Sequence, residues 1–345
     1  MASTPPPMVN PIYATLPSGP IHRMKLKGQG AGQILLDQKY LYWTVYQDPS
    51  HIFRYPLTGG NIETVATSQY KDGELTTDRP IRTGDWLIFV DTPASAEAVT
   101  WVVRALNLTT KTEQVIVEEP GDPVSWPGPS LTAEGDWVVW TRTGHAKSAT
   151  CDETILAMRN LKTGEQRELD RACTQDHYRW DMPHIISNTL IVEQDLPDNQ
   201  GRLNNIYAFD LTSGQRTALT NDGQSSMPVA SGNWLVWKEG PRYQNGSFNI
   251  IDNLHTGARQ RLPAPNTDPL DPEIAGHWLY WPPSVFGSFY VYNLETNQML
   301  TVATPGDNET IGPVAVTQHM AAWLRDLDFK DAPPKDTMLE WRTLP

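Results

Sequence analysis

The stretch Pro228-Val229-Ala230-Ser231-Gly232-Asn233-Trp234-Leu235-Val236-Trp237, with Asn253-Leu254-His255-Thr256-Gly257 after it, decides the fold. It reads as a strand after a proline, then a Gly-Asn turn of the kind that needs positive φ, then a second strand of large apolar residues. The Asn-Leu-x-Thr-Gly phrase marks another turn, at the end of a third strand. The same phrase returns at Pro272-Glu273-Ile274-Ala275-Gly276-His277-Trp278-Leu279-Tyr280-Trp281, with Asn293-Leu294-Glu295-Thr296-Asn297 after it. One unit of this size cannot bury both faces of its own strands. It must stack on copies of itself.

Working outward from that unit, the turn between its first two strands recurs before Tyr40, Trp86, Trp137, Thr189, Trp234, Trp278 and Met320, at spacings of 42 to 52 residues. Seven units at the period of propeller blades predict an all-β, seven-bladed propeller of four-stranded antiparallel blades. Prolines 80, 129, 183, 228, 272 and 313 are each expected just ahead of an inner strand. The last unit ends in a third strand, Met338 to Leu344, without a fourth. Ile21-His22-Arg23-Met24-Lys25-Leu26 alternates correctly to supply it, which would close the ring and remove a free edge. Six blades with an accessory hairpin is the alternative. Residues 21–345 are thus expected to form a single domain, and residues 1–20, opening Met1-Ala2-Ser3-Thr4-Pro5-Pro6-Pro7, a flexible tether.

Phrases such as Ile206-Tyr207-Ala208-Phe209-Asp210-Leu211-Thr212-Ser213-Gly214-Gln215-Arg216-Thr217-Ala218-Leu219-Thr220 resemble the TolB-type, WD40-like (PD40) propeller repeats of bacterial periplasmic and secreted proteins. The resemblance covers residues 21–345. It implies a propeller in an extracytoplasmic setting: secreted, periplasmic or lipid-anchored, with Ala2 to Pro11 as a stalk in the last case. The Ser-Pro-Asp-Gly that usually precedes the second strand in that family is replaced here by Ser-Gly-Asn or Ala-Gly-His.

Composition sets further bounds. The chain has 345 residues, 39% hydrophobic and 19% charged, which is the balance of a globular protein. A net charge of −13 argues against nucleic acid and anionic membrane as partners. No run approaches the roughly 20 apolar residues of a membrane span, and no cationic and apolar leader is present. No Gly-x-Ser-x-Gly elbow, phosphate loop or dinucleotide fingerprint occurs. Cys151 and Cys173 stand in polar stretches of one unit, outside any metal-ligand spacing, and are expected to form a disulfide.

Ligand sites in propellers lie on the face where loops join successive blades, so candidate residues are sought there. The densest reactive cluster is Asp176-His177-Tyr178-Arg179-Trp180-Asp181-Met182-Pro183-His184. It is read as a rim site for a polar ligand, with His177 or His184 able to act as a base beside Asp176 or Asp181. Equivalent stretches add Asp122 with Trp126, Asp222 with Ser225, Asp268 with Asp271, Asp307 with Glu309, and the aromatic Tyr243. The recurring acids would suit a basic peptide or a cation. No calcium-loop motif is present and no cofactor is expected, calcium being the one candidate.

Two functions follow. The preferred one is a monomeric, non-enzymatic propeller that binds a protein, peptide or glycan on its loop face. The alternative is a carbohydrate-active propeller enzyme, a lyase or glycoside hydrolase, with His, Asp and Arg at the channel mouth.

Overall fold

A computed structural model describes residues 5–27, 31–45, 49–70, 73–75, 80–93, 100–120, 129–145, 152–173, 179–198, 201–240, 247–263, 271–284, 286–327 and 336–345. The recurring phrase now has a physical meaning. Gly232, between the first and second strands of blade 5, has φ 58°, and Ser187 takes the same left-handed conformation at 54° in blade 4. For serine that conformation costs about 1 kcal/mol or more, which the surrounding hairpin must offset. In the Asn-Leu-x-Thr-Gly turn, Asn253 Oδ1 accepts the N–H groups of His255 and Thr256 at 3.1 and 3.0 Å. The leucine N–H then reaches across to the neighbouring turn, Leu254 to Asn233 O at 2.8 Å. Leu57, Leu108, Leu161, Leu211, Leu294 and Leu344 repeat that bond in the other six blades. The leucine is therefore a staple between two turns of one blade.

Seven sheets result. Their strands, from the channel outward, are called A to D. Blade 1 is Ala31–Leu36, Tyr40–Val45, His51–Pro56 and Glu63–Thr67. Blade 2 splits strand A into Gly73–Leu75 and Ile81–Thr83, followed by Trp86–Pro93, Thr100–Asn107 and Glu113–Pro120. Blade 3 is Leu131–Glu134, Trp137–His145, Asp152–Asn160 and Gln166–Cys173. Blade 4 is Arg179–Ile186, Thr189–Asp198, Gly201–Asp210 and Arg216–Ala218. Blade 5 is Ser225–Ser231, Trp234–Glu239, Phe248–Asn253 and Ala258–Pro263. Blade 6 is Glu273–Ala275, Trp278–Trp281, Phe289–Asn293 and Gln298–Ala303. Blade 7 is Thr310–Val316, Met320–Leu327 and Asp336–Thr343, completed by His22–Lys27, which pairs antiparallel with Asp336–Thr343. The seven-bladed reading and its N-terminal closure hold, and six blades are ruled out.

Strand alternation divides each blade's apolar residues between its two neighbours. Leu235, Trp237 and Ile250 of blade 5 pack on Ile191 and Ile206 of blade 4. Val236 and Ile251 face the other way, onto Leu279, Trp281 and Tyr292 of blade 6. The core is thus a ring of layers between blades.

Two features differ from the sequence reading. Pro183, Pro228 and Pro313 lie inside strand A, not ahead of it, where the register slips between Asp181 and His184, Ser226 and Val229, and Ile311 and Val314. A bulge leaves the proline's missing N–H without a ladder partner to disappoint. Met182 and Met227, just before two of these prolines, have φ 49° and 55°. The second feature concerns residues 1–20, expected as a tether. Val9 N–H donates to Arg261 O at 2.8 Å, and Arg261 N–H to Pro7 O at 2.9 Å. Ile12–Ala14 then pairs in parallel with Gln298–Ala303 as a fifth strand on blade 6. Arg342 Nη2 donates to Pro17 O at 2.7 Å. The described part of this segment is a strap across the outer edges of blades 5, 6 and 7.

Candidate functional site

Towards the loop face the apolar layers give way to buried polar side chains. Strand B ends and strand C begins there in every blade, so the change of chemistry falls at one level around the ring. Asp91, Glu193, Asp195, Lys238, Asn249 and Glu340 are all 3% exposed or less. Burial of such groups demands partners. Asp91 has them: Ser68 Oγ donates to it at 2.6 Å, Gln69 N–H at 3.0 Å and Arg104 Nη1 at 2.7 Å. Glu193 accepts from Asn204 Nδ2 and from Met227 N–H at 2.7 Å, which ties blade 4 to the bulge of blade 5.

The expected rim cluster falls partly on strand A of blade 4. Asp181 Oδ1 accepts Ser130 Oγ of blade 3 at 2.5 Å and the Met182 N–H at 2.9 Å. It therefore anchors a bulge as well as facing blade 3. His184 follows the bulge; burial pushes its imidazole down to about 4, so it is neutral at pH 7. Trp180 departs from the rim expectation. It is 1% exposed, packs with Val139, Leu156 and Met158 of blade 3, and donates Nε1–H to Asp170 Oδ2 at 2.9 Å. Its alternation partner on the strand made the difference: inward aromatics and rim aromatics look the same in sequence. Arg179 is the first residue of this strand. Asp222 Oδ1 accepts Gln224 N–H at 2.8 Å and Ser225 Oγ at 3.1 Å, which caps the start of blade 5. Asp271 precedes strand A of blade 6 and is half-buried. Asp122, Trp126, Asp176, His177, Tyr178, Tyr243 and Cys151 lie outside the described residues. Cys173 ends its strand opposite Glu153, two positions along the sequence from Cys151. The structure thus brings Asp181 and His184 onto one inner strand, with Asp222 on the next blade.

Two arrangements were not anticipated. The first is a row across blade 5: Ser226 lies opposite Lys238, and Lys238 opposite Asn249. Directly opposed side chains share a face, and this one looks toward blade 6, where Trp281 packs. Among the described residues, Ser226 Oγ, Asn249 Oδ1 and Trp281 Nε1 are buried without a hydrogen-bond partner. The second is a cleft of about 490 Å³ between blades 6 and 7, lined by Arg23, Thr304, Pro305, Gly306, Glu309, Arg325, Leu327, Met338 and Glu340. Glu340 collects Arg23 Nε at 2.6 Å, Trp323 Nε1 at 2.7 Å and Arg325 Nε at 2.9 Å. Arg325 Nη1 also donates to Glu309 Oε2 at 2.6 Å and Thr304 O at 3.1 Å. Burial would raise the Glu309 carboxyl, but the Gly306 N–H and the guanidinium groups of Arg325 and Arg23 outweigh it and hold it below its ordinary value. The sequence signal for this cleft is slight: Arg23 and Lys25 share one face of the closing strand, and Glu309 recurs among the acids before strand A.

Among the described residues, no group of three or more His, Cys, Asp or Glu side chains is placed to hold a metal ion. No helix among them is long and apolar enough to cross a membrane.

No protein-family model matches the chain, and no curated protein matches it in sequence. Solved structures do. The β-propeller domain of the trilobed protease from Pyrococcus furiosus aligns with a TM-score of 0.65 and 9% identity, over 92% of this chain and 98% of its own. An oligogalacturonate lyase in complex with manganese aligns at 0.54 and 13%, over 96% and 98%. TolB from Acinetobacter baumannii is also among the neighbours, at 0.49 and 15%, over 76% of this chain and 62% of TolB. The neighbours include a protease's propeller domain and a lyase, at identities that carry architecture and not activity. The PD40-type resemblance of the repeats holds as a likeness of fold: this chain is a seven-bladed β-propeller.

Proposed function

We propose that the chain is a non-enzymatic propeller of the bacterial envelope or secreted space that holds a protein, peptide or glycan on its loop face. One observation carries this reading. The buried acids towards the loop face, Asp91, Glu193 and Glu340, are each engaged by donors of the scaffold itself. Burial also holds the His184 imidazole below its ordinary range. The ligand rim would run from Asp176 to Arg179 and on to Asp222, Tyr243 and Asp271, with Asp122 and Trp126 on the blade 3 side. A disulfide between Cys151 and Cys173 would pin that rim in an oxidising compartment.

Peptide and glycan arrays test it. Binding without turnover is expected, weakened about tenfold or more in a His177→Ala/Arg179→Ala double variant. Release of unsaturated or new reducing sugar ends from a polysaccharide would overturn it in favour of the carbohydrate-active enzyme. Mass spectrometry after non-reducing alkylation checks the disulfide, two labelled thiols being the result that sinks it.

A further inference from the structure

The cleft between blades 6 and 7 holds more hydrogen-bonding capacity than the scaffold uses. Arg23 gives its Nε to Glu340, its side chain is 59% exposed, and among the described residues its terminal nitrogens meet no acceptor. Arg325 donates through Nε and Nη1, and among the described residues its Nη2 meets no acceptor. Glu309 accepts the Gly306 N–H and Arg325 at Oε2, and among the described residues its Oε1 accepts nothing. Pro305, Leu327 and Met338 supply an apolar wall. A volume of about 490 Å³ lies within the range of sites for small ligands or single residues.

These groups describe their ligand. Adjacent guanidinium forks match a carboxylate, by paired charge-assisted hydrogen bonds. A carboxylate oxygen beside them needs an N–H or O–H to accept from. The apolar wall needs hydrocarbon. The last residue of a polypeptide offers all three on neighbouring atoms: a terminal carboxylate, an amide N–H and a side chain. An acidic sugar shares the carboxylate but would set hydroxyls against Leu327 and Met338.

We propose that this cleft captures the C-terminal residue of a peptide or protein partner. Its carboxylate sits on Arg23 and Arg325, its amide N–H on Glu309 Oε1, and an apolar side chain on Leu327 and Met338. Capture of chain ends by preorganised donors is a recurrent mode of peptide recognition. The inference rests on the binding reading above and narrows its partner class.

Fluorescence anisotropy of the full chain with fluorescein-Gly-Gly-Ser-Leu tests it, the probe carrying either a free terminal carboxylate or a terminal amide. The free acid is expected to bind about tenfold or more tightly than the amide. Arg23→Gln should remove that preference, Arg23→Lys should restore part of it, and Lys25→Gln should leave it within about twofold. Arg23 is an exposed residue whose loss leaves Glu340 bonded to Trp323 and Arg325, so the variant keeps its fold, and thermal melts check this. Equal affinity for acid and amide, no binding of either, or equal behaviour of wild type and Arg23→Gln, overturns the inference. So does displacement of the probe by galacturonate at lower concentrations than acetyl-leucine. If arrays show ligands that bind with blocked ends, the cleft reading fails while the binding reading stands; silent arrays sink the binding reading itself.

Discussion

The 6–7 seam and the 5–6 junction both gather polar side chains towards the loop face, yet they are finished differently. At the seam, Glu340 receives three N–H donors from two strands and a guanidinium shared with Glu309. At the junction, Ser226 Oγ, Asn249 Oδ1 and Trp281 Nε1, in the row with Lys238, are buried with no partner among the described residues. The two ends of the chain meet within blade 7, on one side of this seam, where Arg23 of the closing strand bonds Glu340, 317 residues away. A ring closed without a covalent link needs its strongest polar node there, because opening begins at the joint. At the junction the four strands of each blade come from one run of chain. The junction can carry unsatisfied groups, each of which costs about 1–3 kcal/mol unless ordered water fills the gap.

The largest expected effect breaks the seam. Glu340→Ala leaves the buried Trp323 Nε1 and the Arg325 Nε without their acceptor and should destabilise the fold by about 3–5 kcal/mol in urea unfolding. An effect below about 1 kcal/mol would show that the seam is no stronger than the junction.

Acid unfolding sharpens the contrast. Glu309 has a depressed folded pKa, so its stabilisation of the seam is full above the ordinary value of 4.5 and fades as pH falls through the lower folded value. His184 acts over a higher window. Its folded pKa of about 4 lies below 6.5, so the unfolded chain binds the proton first and stability drops as pH falls from 6.5 toward 4, by at most about 3 kcal/mol. His184→Gln should flatten that part of the pH–stability curve, and Glu309→Gln the part below it.

Removing residues 1–17 probes both regions at once, since the strap crosses blades 5, 6 and 7 through Arg261, Gln298–Ala303 and Arg342. A loss of about 1–2 kcal/mol is expected from these half-exposed backbone bonds, read as a lower Tm. The smallest effect is at the junction. Ser226→Ala deletes a buried hydroxyl that has no partner among the described residues and should be neutral or stabilising by up to about 1 kcal/mol. A clear destabilisation would mean that water completes the row and that the two regions are equally finished.

The blades were legible in sequence because their information is local. Gly232 or Ser187 at positive φ, Asn253 capping its own turn, and Leu254 stapling two turns all act within one unit and repeat. The closing strand was legible for the same reason: alternation in Ile21 to Leu26 needs no partner to be seen. The site was less so. Trp180 is read at the rim but is buried, and the prolines at 183, 228 and 313 are read ahead of strands that in fact contain them, since a bulge admits a proline without changing the residue types. The strap at residues 7–17 carries no strong strand pattern and pairs only because blade 6 offers it an edge.

By itself the sequence determined the number of blades, their turns and the closure of the ring. Tertiary structure alone decided which polar residues meet: Glu193 with Met227, Arg104 with Asp91, Arg23 with Glu340 and Arg325 with Glu309. The physical reason is range. Turns and alternation depend on a residue and its near neighbours, whereas a buried charge is placed by partners on other strands and blades, brought together only when the layers between blades pack.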